Sequence, residues 1–112
     1  MAEANNKPVL ALVRDLMFVG RISATARASG VPIKVIRDPA ALSGEAGRLL
    51  LVDLNLAGAI EAAAAWKSAS GGEAIGFVSH VDAETIQRAR ESGIDQVMPR
   101  SRFVEALAGI LS

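Results

Sequence analysis

Two acids, a hydroxyl and a guanidinium each stand at or just beyond the end of a short apolar run: Asp15 after VLALVR, Asp53 after LLLV, Ser79 after AIGFV and Arg100 after QVMP. Carboxylates at two such positions can hold a hard divalent cation or pair with a guanidinium. A hydroxyl beside them can donate a hydrogen bond to a bound anion. That chemistry requires the four run ends to share one rim.

Five apolar runs, Val9 to Val13, Pro32 to Ile36, Leu49 to Val52, Ala74 to Ser79 and Gln96 to Pro99, alternate with Ala-rich stretches of helical character. Their hydrophobicity is continuous rather than every-other, which is the pattern of strands covered on both faces in a parallel sheet. The stretches between them are then helical crossovers. Gly30, Gly71 and Gly93 fall where a helix would end in a left-handed cap. Asp38-Pro39 reads as an N-cap with proline at the first helical position and starts a second helix. Phe18, Ile22 and Ala26 make one apolar face of the first helix, with Arg21 and Arg27 outward, and Phe103, Leu107 and Leu111 do the same in the last, with Ser101 as its N-cap. Pro99 should close the fifth strand. Five βα units predict an α/β, three-layer αβα, doubly wound five-stranded parallel sheet in the order 2-1-3-4-5, the flavodoxin-like arrangement. Ligands in such sheets bind outside the carboxyl ends of the strands where strand order reverses, between strands one and three. Asp15 and Asp53 end those two strands.

The 112 residues suit one domain, expected over 8–112 behind a disordered tail at 1–7. Lys plus Arg and Asp plus Glu balance at 12 each and are spread along the chain, which argues against a nucleic-acid or membrane-binding face. There is no cysteine, so disulfides, thiol catalysis and thiolate metal sites are excluded. The N-terminus lacks the features of a signal peptide and no apolar stretch is long enough to span a bilayer, so a cytoplasmic location is expected. His80 has no second ligand in metal-binding spacing and reads as a loop residue. Trp66 reads as a packing residue, and Arg88, Arg90 and Glu91 as a solvated helix face. VRDLMF after strand one carries no glycine-rich phosphate loop, which disfavours a nucleotide or flavin site.

Taken together, LLLVDLNL, FVSH and ESGIDQVMPRSRF resemble the receiver domains of two-component response regulators, and the resemblance runs along essentially the whole chain. It implies that Asp53 stands at the phospho-acceptor position, Asn55 at the metal-site position two residues on, and Ser79 at the Thr/Ser position. A Mg²⁺ ion, if one binds, would use Asp15, Asp53 and Asn55; no other cofactor is expected. The family's acid pair after strand one is here Arg14-Asp15. Its lysine is Arg100, with Ser101 at the following proline; a gapped reading puts Met98-Pro99 there instead. Val97 takes the place of a switch Tyr or Phe.

An arginine at Arg14 or Arg100 that neutralised Asp53 would compete with Mg²⁺ for the same charge, and arginine does not lose its proton at physiological pH. The resemblance therefore implies a non-enzymatic, pseudo-receiver signalling domain acting through a protein partner, such as a histidine kinase, an output protein or a second copy of itself. The alternative is a working receiver phosphorylated on Asp53 with Mg²⁺. A small-ligand binder at the same rim is a third reading.

Overall fold

The computed structural model describes residues 7–79 and 82–112. Of the expected tail, residues 1–6 lie outside the described residues, as does His80. The strands are β1 (Val9–Leu12), β2 (Ile33–Ile36), β3 (Leu49–Asp53), β4 (Glu73–Val78) and β5 (Gln96–Pro99), and each end falls within one residue of its apolar run. They form one five-stranded parallel sheet in the order β2-β1-β3-β4-β5. The α-helices are α1 (Leu16–Ala28), α2 (Ala59–Ser70), α3 (Ala83–Glu91) and α4 (Arg100–Leu111).

Alternation along the strands splits the core in two. Leu10, Leu12, Leu50 and Val52 point to the layer that holds Ala63 and Trp66 of α2 and Ala89 of α3. Val9, Ala11, Leu49 and Leu51 point the other way, to Phe18 and Ile22 of α1 and Phe103 and Leu107 of α4. Every residue of β1 and Leu50 to Val52 of β3 is fully buried, which accounts for the unbroken apolar runs in the sequence.

Two expectations fail. The second crossover is not an α-helix. Asp38 caps it as expected, accepting the Ala40 N–H at 3.1 Å, but only a 3₁₀ turn, Pro39–Leu42, follows. The chain has to return to β3 within 43–48, and two glycines there serve the return. Gly44 has φ +81°, and a Cβ on Gly47 would stand 2.5 Å from Leu10 Cγ. Trp66 secures this connection from α2, donating its indole N–H to the Glu45 carbonyl at 2.9 Å, while Lys34 on β2 pairs with Glu45 at 2.8 Å. The second failure is Ser101, which does not cap α4. The helix begins two residues earlier than that cap would set it, at Arg100, with Pro99 as N-cap and no side-chain cap bond. The proline's fixed φ ends β5 and sets the helical entry in one step, so Arg100 rather than Ser101 leaves the strand end.

Candidate functional site

Asp15 caps α1: its Oδ1 accepts the N–H groups of Met17 at 3.0 Å and Phe18 at 3.3 Å. Its other oxygen, Oδ2, accepts Arg100 Nη2 at 3.1 Å. The Arg100 guanidinium lies over the Phe18 ring, 4.0 Å from its centroid, so ion pair and cation–π contact act on the same group. Beneath it Phe18, Phe77 and Phe103 pack ring on ring, with centroids 4.8, 5.8 and 4.6 Å apart in the three pairs. One ring comes from α1, one from β4 and one from α4, so the trio ties the elements that position Arg100.

Asp53 ends β3, half-buried and in register with Phe77 of β4. Its Oδ1 accepts the Asn55 N–H at 3.0 Å. Burial pushes its carboxyl above the ordinary value of 3.8, opposed by the Asn55 N–H and by the positive charge of Arg100, and reinforced by the negative charge of Asp15. Asp15 moves the other way: first the Arg100 hydrogen bond, then the Phe18 N–H, hold it below 3.8. The two acids therefore differ in kind. Asp15 is a committed anion, and Asp53 is the acid whose charge the fold disfavours.

Asn55 reaches from the β3–α2 loop to the end of β4, where its Oδ1 accepts the Ser79 N–H at 2.6 Å. Arg14 turns to the opposite side. Its Nε donates to the Arg37 carbonyl at 3.2 Å, and Arg37 Nη2 donates to the Arg14 carbonyl at 3.5 Å, a reciprocal tie between the ends of β1 and β2. Competition between Arg14 and a cation at Asp53 is thus not what the geometry supports; the arginine whose charge bears on Asp53 is Arg100.

Asp15, Asp53, Asn55, Ser79 and Arg100 share the carboxyl rim of the sheet, and Arg14 sits on that rim facing β2. Sequence reasoning missed the pairings among them. Arg100 and Asp15 are separated by 85 positions, and nothing local signals that they meet. The aromatic trio could be suspected only because Phe18 and Phe103 each lead an inward helix face. Among the described residues no group of three or more acidic, His or Cys side chains is placed to hold a metal ion. Likewise, no helix among them is long and apolar enough to cross a membrane.

No family model matches the chain, and no curated protein matches it. Solved structures do. The phosphorylated cyanobacterial phytochrome response regulator RcpA superposes with a TM-score of 0.78 at 17% identity, over 93% of this chain and 90% of its own. The fold is that of receiver domains. A CheY-like receiver domain protein from Methanospirillum hungatei gives 0.77 at 16% identity, covering 94% of this chain and 93% of its own. The BeF3-activated DrrB receiver domain, from Thermotoga maritima, gives 0.80 at 15% identity over 94% and 93%. In that receiver fold Asp53 ends the central strand, at the switch point between β1 and β3 where ligands of such sheets bind.

Proposed function

We propose that this chain is a receiver-like signalling domain that binds a protein partner, and that its acidic site is held in one state without phosphorylation. One observation carries the reading: the Arg100 guanidinium rests between the Asp15 carboxylate at 3.1 Å and the Phe18 ring at 4.0 Å. A phosphoryl-accepting aspartate needs a divalent cation to neutralise the phosphoryl oxygens. The acids available for one are Asp15 and Asp53, and Asp15 is already paired with a guanidinium that keeps its proton. The remaining donors, Asp53 and Asn55, make a poor set for Mg²⁺, so no step is assigned to the metal.

A surface suited to a partner lies beside this site. Leu16 and Met17, in the first turn of α1, are 65% and 88% exposed. They adjoin a cleft of about 680 Å³ lined by Phe18, Arg21, Arg100 and Val104. Exposed apolar side chains next to a cleft with charged walls are the composition of a protein-binding face. A histidine kinase, an output protein or a second copy of the chain could each dock there.

The working-receiver reading is favoured by one feature, the half-buried Asp53 at the end of the central strand, in a fold shared with a response regulator solved in its phosphorylated form. Incubation with acetyl phosphate and Mg²⁺, followed by intact mass measurement of wild type and Asp53→Asn, separates the two. No Asp53-dependent gain in mass is expected; a gain that disappears in Asp53→Asn contradicts the proposal.

A further inference from the structure

Among the described residues, the loop from β3 to α2 is fastened to the end of β4 at three points. The Leu54 N–H donates to the Phe77 carbonyl at 2.9 Å. The Leu54 side chain occupies the space over Gly76, where a Cβ would stand 2.6 Å from Leu54 Cδ1. Asn55 Oδ1 accepts the Ser79 N–H at 2.6 Å. Only the last depends on a polar side chain, and the same residue donates its own N–H to Asp53 Oδ1 at 3.0 Å. Asn55 thus holds the acid of β3 with its backbone and the first residue beyond β4 with its side chain.

A backbone N–H at the rim of a parallel sheet is a donor that an anion bound there can recruit. At Ser79 this donor is already taken by a neutral amide oxygen of the same chain. We infer that Asn55 is a positioning residue of the rim: by accepting the Ser79 N–H it holds Ser79, the first residue beyond β4, and withholds that donor from any anion carried on Asp53. The inference rests on the reading of a site held in one state. It gives the β4 side a lock as Arg100 gives one to the α1 side.

Two substitutions isolate the lock. Asn55→Ala removes the acceptor. Asn55→Asp keeps an oxygen acceptor on a side chain of the same length. In ¹⁵N-labelled full-length protein without any phosphodonor, the Ser79 amide of Asn55→Ala should exchange about tenfold faster or more than in wild type, with its proton signal moved upfield. Asn55→Asp should stay near wild type, and the Leu50 and Ile75 amides should be unchanged in all three. Ser79 exchange in Asn55→Ala within about threefold of wild type, or equal acceleration in both variants, overturns the inference. If a variant also accelerates the core amides, the Ser79 proton shift in its native spectrum decides: upfield supports the lock, unmoved refutes it. Phosphodonors play no part here, so a phosphorylatable Asp53 and a missing Asn55 lock have separate signatures.

Discussion

Asp15 and Arg100 lie 85 positions apart in the chain and meet at 3.1 Å, joining the first turn of α1 to the first turn of α4. Each also makes a second contact on α1, Asp15 as its cap and Arg100 as a cation over Phe18. A cation that would otherwise be free to serve an incoming anion is thereby engaged by its own fold.

Removing the guanidinium should release Asp15. In Arg100→Ala, its carboxyl should titrate closer to the ordinary value of 3.8 than in wild type, where Arg100 holds it lower. Carboxyl ¹³C shifts followed through an acid titration read this directly, and an unchanged Asp15 titration would argue against the pair in solution.

The two arginines of the rim should behave differently toward metal. Arg100→Ala should raise Mg²⁺ affinity, because it frees an Asp15 oxygen, whereas Arg14→Ala should change it little, because Arg14 faces the Arg37 carbonyl. A calorimetric Mg²⁺ titration of both variants checks the contrast. Equal gains would place Arg14 in the pocket after all.

Asp53 should oppose folding at neutral pH. Its folded-state pKa is raised by burial, so the folded protein binds a proton more readily than the unfolded chain, and stability falls as pH rises between 3.8 and that raised value. Asp53→Asn keeps an oxygen for the Asn55 N–H and should melt a few degrees higher at neutral pH. The gain should vanish below 3.8, where wild-type Asp53 is protonated in both states. Asp95 predicts the reverse. Its pKa is lowered, first by Lys67 and then by the Ala74 N–H, so its contribution is present above 3.8 and is lost as pH falls through the folded value. Asp95→Asn should lower the melting temperature at neutral pH and matter little in acid.

Trp66 stands in for a missing helix, and its indole N–H is the tie to the β2–β3 connection. Trp66→Phe keeps most of the buried ring and loses the bond to the Glu45 carbonyl, with an expected cost of about 1 kcal/mol in urea unfolding. Amide exchange should accelerate within 43–48 and not in β3. Gly76→Ala tests packing under the site: its Cβ would press on Leu54, and the expected loss is about 1–3 kcal/mol.

Much of this fold is legible in the sequence because burial dictates it. Strands covered on both faces must read as continuous apolar runs, so β1 and β3 declare themselves, as do the inward faces of α1 and α4. The second crossover misled because Asp38-Pro39 is a true start signal whose helix has no room to continue before Leu49. The candidate site was legible as a set of positions, since topology alone brings the ends of β1, β3, β4 and β5 to one rim. Its wiring was not. Which oxygen of Asp15 takes Arg100, or that Asn55 spans to Ser79, depends on side-chain directions across the sheet, which leave no periodic trace.

The proposed role of Arg100, paired with Asp15, is to hold the site in a state that Asp53 does not control. It is tested most directly by ¹⁵N spectra of wild type and Asp53→Asn recorded with and without beryllofluoride and Mg²⁺. The two proteins should respond alike, with no Asp53-dependent shifts at Ser79 or along α3 and α4. Saturable shifts at those positions in wild type that are absent in Asp53→Asn would contradict it.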